Sequence, residues 1–312
     1  MRVAGIDCGT NSIRLLIADV EGSGSQARLV EVLRTMRIVR LGQGVDATGA
    51  FAPEALERTF AAAREYKALC DEHQVEQLRF AATSAARDAS NRELFIEGIT
   101  SILGVAPEVI SGEEEAKLSF TGAASVRAGQ PGQLVVIDLG GGSTEFILGD
   151  ATGPLASKSL DVGCVRVAER FAGHEQDPAP AAEFIDSVLA TLHGEVDLSQ
   201  ISAVVPVAGT FTTLAAQALG LEEYDSAAIH ASQLDFAQLR EATRQLRAMD
   251  REQRAALGFM HPGRVDVITA GALIVQRILD EIERQSGSTQ IPVITSEHDI
   301  LDGIAASAAG LI

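Results

Sequence analysis

The sequence predicts an α/β protein built from two similar lobes, and three observations carry that prediction. Residues 6–12 and 137–143 each read as an apolar strand ending in an aspartate, then a glycine-bearing turn, then a serine. After each turn an apolar stretch resumes, over 13–20 and 146–148, so the repeated unit is strand, tight turn, strand. An amphipathic run from Pro53 to Glu72, with proline at the first helical position, supplies the helical component. The two hairpins are in register: Asp7 with Asp138, Gly9 with Gly140 and Ser12 with Ser143 share one separation, which chance similarity rarely preserves.

In chain order, strands are expected at 3–8, 13–20, 27–39, 78–83 and 106–110 in the first lobe, with the 53–72 helix between them. The second lobe repeats the pattern at 134–138, 144–149, 155–162 and 201–207, and helices are expected near 182–195, 235–247, 265–285 and 299–309. Loops are marked at Gly129–Gly132 and at Asp177–Pro180, and the first lies near a domain boundary. Residues 201–221 carry no charge and have the length of a membrane span, but Pro206, Gly209 and three threonines indicate a buried strand, a turn and a helix instead.

Composition bounds the function. The 312 residues suffice for two core-bearing domains, and with no Trp and 4% aromatics those cores must be built from Val, Ile, Leu and Ala. Asp7 interrupts any apolar leader almost at once, so no secretory signal is expected. Cys8, Cys70 and Cys164 lack metal-type spacing and point to buried thiols in a reducing cytoplasm. The six histidines form no H-x-x-x-H pair, which disfavours structural zinc. Net charge is −18, and no Lys/Arg-rich segment with interleaved aromatics is present, so nucleic acid is disfavoured as a partner and no membrane partner is expected. Residues 1–124 carry 13 Lys/Arg against 18 Asp/Glu, and residues 125–312 carry 12 against 25, so positive charge facing a phosphate is expected from the first lobe.

The hairpins narrow the chemistry. A Rossmann fingerprint needs a helix after its glycines and a Walker loop needs Gly-Lys-Ser/Thr; neither is found. What is found is a turn whose backbone N–H groups a phosphate can approach, beside an aspartate able to hold a divalent cation. Two such units facing one another would cradle a polyphosphate. Gly9, Thr10, Asn11 and Ser12, and Gly140, Gly141, Gly142 and Ser143, are the expected donors. Asp138 is the expected Mg²⁺ ligand, with Asp7 or Glu145. Gly209 and Thr210, where a strand runs into a helix, are further phosphate candidates. Arg34, Arg37 and Arg40 form a spaced basic run that could line a polyanion or serve solubility. Ser111 and Glu114 read as a capping box, which explains the adjacent Glu113 and leaves Glu115 unexplained.

At these residues, and at Ala82-Thr83-Ser84-Ala85-Ala86-Arg87-Asp88-Ala89-Ser90-Asn91, Ile110-Ser111-Gly112-Glu113-Glu114-Glu115-Ala116 and Asp138 through Glu145, the chain resembles the exopolyphosphatase/guanosine pentaphosphate phosphatase (Ppx/GppA) family of the actin, sugar-kinase and Hsp70 superfamily. The resemblance runs essentially end to end. It implies two RNase H-like domains with an active-site cleft between them, one of residues 1–125 plus 298–312 and the other of 126–297, the last helix crossing back to the first lobe. It places Glu115 on the family's catalytic base and Glu145 on a second catalytic carboxylate. Arg87 is the guanidinium for a terminal phosphate, and Arg166 a weaker candidate. The ordinary alternatives are an ion pair of Arg87 with Asp88 or a neighbouring Glu, and an outward-facing Glu145.

The resulting expectation is an Mg²⁺-dependent exopolyphosphatase acting on inorganic polyphosphate, cytoplasmic, with a homodimer possible as in other members. The alternatives are hydrolysis of guanosine pentaphosphate at its 5′ phosphate, an ATP-binding kinase, and a non-catalytic actin-like scaffold, which should lack the Glu115 and Glu145 pair. Two departures stand out: Asp299 and Leu301 occupy places where many members carry glycine and arginine, and the C-terminal helical domains of the long members are absent. A short two-domain form with an acidic second lobe is expected to favour short chains.

Overall fold

The computed structural model describes residues 1–22, 27–127, 130–173 and 177–312. Gly129, part of the first loop signal, lies outside the described residues. The chain divides into two compact units, residues 1–122 with 300–312, and residues 123–299.

The first unit holds a five-stranded sheet of β1 (Arg2–Cys8), β2 (Ser12–Glu21), β3 (Arg28–Ile38), β4 (Gln77–Ala82) and β5 (Glu108–Val109), in the order β3-β2-β1-β4-β5. β1 pairs antiparallel with β2 and parallel with β4, the mixed pattern of an RNase H-like unit. The anticipated strand at 106–110 is only two residues long, because just Glu108 and Val109 pair with β4. The helices of this unit are α1 (Val45–Thr48), α2 (Pro53–Glu72), α3 (Ser84–Asp88), α4 (Arg92–Leu103), α5 (Gly112–Ala123, whose last residue falls in the second unit) and α13 (Ile300–Ala308). The core lies between the sheet and α2 and α4, where Ile6, Ile13, Leu15, Tyr66, Phe80 and Phe95 are fully buried. The last helix, α13, lies on β1 and α5: a Cβ at Gly5 would sit 2.8 Å from the Ala305 nitrogen, and one at Gly303 2.2 Å from the Leu118 carbonyl oxygen.

The second unit repeats the design with β6 (Gln133–Leu139), β7 (Thr144–Asp150), β8 (Gly153–Leu160), β9 (Ile201–Val207), β10 (Gln233–Leu234) and β11 (Val293–Ile294), ordered β10-β11-β9-β6-β7-β8. β6 pairs antiparallel with β7 and parallel with β9, so β8-β7-β6-β9-β11 corresponds to β3-β2-β1-β4-β5. Its helices are α6 (Cys164–Arg170), α7 (Ala179–Leu189), α8 (Ala208–Leu219), α9 (Ser226–Ile229), α10 (Phe236–Ala248), α11 (Arg251–Ala255) and α12 (Ile268–Ser286). α12 buries Ile268, Ala272, Val275, Ile278, Leu279 and Ile282 at helical spacing and packs against α6, α7, α8 and α10. The uncharged 201–221 stretch is β9 running directly into α8, with Ala208 at φ 67 absorbing the change of direction. Among the described residues no helix is long and apolar enough to cross a membrane. The three cysteines are free and buried.

Candidate active site

The hairpin β1–β2 pairs Asp7 with Arg14 and Cys8 with Ile13, and β6–β7 pairs Asp138 with Glu145 and Leu139 with Thr144. Both turns close with the same bond: Gly9 N–H donates to the Ser12 carbonyl and Gly140 N–H to the Ser143 carbonyl, each at 3.0 Å.

In each turn the carbonyls are held from behind. In the first unit Gly42 N–H donates to Thr10 O at 2.9 Å, and the N–H groups of Val39 and Arg40 donate to Asn11 O at 3.0 and 2.8 Å. A Cβ at Gly42 would lie 2.3 Å from the Thr10 methyl, so the approach needs glycine. In the second unit the start of α6 does the same work. Cys164 N–H donates to Gly140 O at 3.1 Å, and Val165 and Arg166 N–H donate to Gly141 O at 2.8 and 3.0 Å. The Arg166 Nε donates to Gly142 O at 2.7 Å. Gly163 admits this helix start, since its Cβ would fall 2.4 Å from Gly141 O.

Peptide planarity converts these bonds into a direction. The carbonyl of one residue and the N–H of the next point opposite ways. The N–H groups of Asn11 and Ser12, and of Gly141, Gly142 and Ser143, are therefore turned away from their braces, an arrangement that receives anions. Arg166, the weaker phosphate candidate, thus fixes the turn through its Nε. Thr10 Oγ1 lies 3.1 Å from Ser84 Oγ, tying the first turn to the segment that also carries Arg87.

The carboxylates differ between the hairpins. Asp7, 5% exposed, accepts from Arg14 Nε and Nη2 at 2.9 and 2.7 Å, so this candidate metal ligand already holds an internal cation. Asp138 and Glu145, 6% and 1% exposed, are opposite one another across the ladder, and the outward-facing alternative for Glu145 does not hold. Two like charges in directly opposed positions repel unless a cation lies between them. Their hard oxygen donors fit Mg²⁺, which takes one or two carboxylates and completes its octahedron with water and phosphate oxygens. Among the described residues no group of three or more His, Cys, Asp or Glu is placed to hold a metal.

Glu115, 7% exposed, stands in the first turn of α5. The capping box forms only in half: Ser111 Oγ accepts from Glu114 N–H at 3.1 Å, while the Glu114 carboxylate goes to Arg79. Arg87 donates to Glu115 Oε2 at 2.6 Å and to Ile110 O at 3.1 Å, so the terminal-phosphate candidate rests on the candidate base itself. Two members of the basic run are engaged elsewhere, Arg34 in a fork onto Asp302 of α13 and Arg37 in a pair with Glu65, while the backbone N–H of Arg40, at φ 49, braces the first turn.

At the start of α8, Gly209 is overlain by Arg264, whose guanidinium carbon would be 2.2 Å from a Cβ there. Thr210 is buried beside Cys164, and its hydroxyl bond to that thiol opposes the upward push that burial gives the Cys164 pKa. Burial, and after it Asp7, raises the Cys8 thiol well above its ordinary value. Both thiols stay protonated at neutral pH and offer no nucleophile. Asp299 is buried in the second unit and Leu301 in the first, the latter packed with Leu16 and Ala305.

Arg14, Ser159, Gly42, Gly163 and Arg264 were not among the residues singled out from sequence. Arg14 and Glu145 keep the same separation as the paired aspartates, which could have exposed the charge reversal. Gly42 and Gly163 do not keep it, because β2 and β3 are longer than β7 and β8.

A family model described as the Ppx/GppA phosphatase family matches residues 16–307. The chain is 48% identical over 318 residues to a Mycobacterium tuberculosis protein named Exopolyphosphatase 2, covering 99% of each. Among solved structures, an exopolyphosphatase-like protein superposes with a TM-score of 0.91 at 41% identity, covering 98% of this chain and 97% of that one. A Ppx/GppA family member from Aquifex aeolicus gives 0.78 at 30% identity, covering 99% and 97%.

Proposed function

Since this chain belongs to the Ppx/GppA phosphatase family, we propose that it is an exopolyphosphatase, hydrolysing the terminal phosphoanhydride bond of inorganic polyphosphate with Mg²⁺ as cofactor and short chains favoured. The observation that carries this reading is the pair of turns whose N–H groups face away from their braces, with the opposed carboxylates of Asp138 and Glu145 beside one of them.

Phosphoryl transfer asks for positioning, neutralised oxygens and an oriented nucleophile more than for covalent work. The turn at Gly140–Ser143 and the turn at Gly9–Ser12 bind non-bridging phosphate oxygens through N–H and hydroxyl donors. Asp138 and Glu145 would hold Mg²⁺, which supplies charge neutralisation at the phosphate oxygens. Glu115 orients the attacking water and accepts its proton. Arg87 holds the Glu115 carboxylate in place and is the guanidinium that would meet a terminal phosphate oxygen. Arg264, laid over the start of α8, adds a cation beside Gly209 and Thr210. The buried pair Glu115 and Glu145 is what an actin-like scaffold would have no reason to keep.

The test is a phosphate-release screen over polyphosphates of rising length, guanosine pentaphosphate and ATP, at fixed free Mg²⁺. The expected result is the highest specificity constant on short polyphosphate. Preferential release from guanosine pentaphosphate would replace the substrate, and no release from any of them would overturn the activity.

A further inference from the structure

The strand that follows the second hairpin, β8, meets the site through the Ser159 hydroxyl. Ser159 on β8 is the register partner of Glu145, which is in turn the register partner of Asp138. Directly paired residues put their side chains on one face of a sheet. Asp138, Glu145 and Ser159 therefore form a row across β6, β7 and β8. Ser159 Oγ donates to Glu145 Oε1 at 2.7 Å, within the range of strong hydrogen bonds to a charged acceptor.

We infer that Ser159 is a positioning residue that fixes the Glu145 carboxylate in the orientation its role requires. The need is physical. A glutamate side chain has three rotatable bonds, and Glu145 stands beside a second buried carboxylate that repels it. A donor on the side away from Asp138 anchors one oxygen of Glu145 and keeps the chain from swinging off the row. The first hairpin makes the contrast: its row is Asp7, Arg14 and Met36, with a thioether where the second has a hydroxyl. There Arg14 is held by the bonds it donates to Asp7. Serine also suits the place sterically. It is half-buried and short, and its hydroxyl meets the carboxylate opposite.

This inference rests on the proposed role of Glu145, and the experiment separates the two. Ser159→Ala, Ser159→Thr, Glu145→Gln and the double variant Ser159→Ala/Glu145→Gln are compared by kcat, KM for short polyphosphate and calorimetric Mg²⁺ affinity without substrate. Ser159→Ala is expected to lower kcat about tenfold, the scale of one lost hydrogen bond to a charged group. It should weaken Mg²⁺ binding severalfold, leave KM and melting temperature near wild type, and be restored by Ser159→Thr. In the double variant the loss should not exceed that of Glu145→Gln alone, because the hydroxyl then has nothing to position. Wild-type kcat and Mg²⁺ affinity in Ser159→Ala, with Glu145→Gln impaired, would overturn the positioning role alone. A loss in Ser159→Ala that adds in full to that of Glu145→Gln, or that Ser159→Thr fails to restore, would also overturn it. If Glu145→Gln itself matches wild type, both the inference and the role of Glu145 fall.

Discussion

The two hairpins share one backbone plan and carry opposite electrostatics. In each, an aspartate stands one residue before the end of the first strand, a four-residue turn closes on the same glycine-to-serine bond, and a following segment braces the turn's carbonyls. Across from that aspartate the first unit places Arg14 and the second places Glu145. The first hairpin therefore opposes its aspartate with a cation and the second with another carboxylate. A duplicated framework thus carries a resident guanidinium in one cradle and, in the other, the two carboxylates proposed above to hold Mg²⁺.

The largest effect expected on that division lies outside both hairpins. Glu115→Gln should keep the fold and the Mg²⁺ affinity while lowering turnover by roughly two to four powers of ten, the scale for removal of a general base. Phosphate release within about threefold of wild type would remove Glu115 from the chemistry.

Next in size is the stability asymmetry. Arg14→Met strands the buried Asp7 without its partner and should cost about 3–5 kcal/mol by chemical denaturation, the scale for breaking a buried ion pair. Glu145→Gln should cost little, and metal-free Asp138→Asn should gain up to about 1 kcal/mol, because each removes a like-charge neighbour. Equal losses at both hairpins would break the comparison.

How much of this was legible from the sequence follows the same division. The strands of both hairpins, the 53–72 helix and the turns were readable because periodicity and glycine placement are local properties. The braces were not, since Gly42 and Gly163 act through close approach to a turn distant in sequence and follow strands of unequal length. Glu115 was left over by a capping argument that proved half right: the serine caps, but Glu114 is drawn to Arg79, a partner on another strand. Arg87 was singled out through the family resemblance, while its seat on Glu115 depends on tertiary packing. The basic run shows the reverse, a conspicuous pattern in which Asp302 takes Arg34 and Glu65 takes Arg37.

The smallest effect concerns alkaline stability, to which the buried thiols of the first unit should contribute. Cys8 corresponds in the repeat to Leu139, and burial followed by Asp7 raises its thiol well above 9.0, while burial lifts Cys70 to about 11. A thiol whose folded value is raised contributes fully below its ordinary value and loses that contribution as pH climbs. Stability should therefore fall as pH rises from 9 toward 11, by up to about 1.4 kcal/mol per pH unit for each thiol. Cys8→Ala should flatten the slope in denaturation curves taken across that range, and an unchanged slope would exclude Cys8 as its source.

The most direct test of the division between the cradles is calorimetric titration of Mg²⁺ into wild-type protein, Asp7→Asn and Asp138→Asn without substrate. The account predicts that Asp138→Asn loses measurable binding while Asp7→Asn, whose carboxylate serves Arg14, stays within about twofold of wild type, a difference of less than about 0.5 kcal/mol. Binding lost in Asp7→Asn and retained in Asp138→Asn would contradict it, placing the metal in the first hairpin.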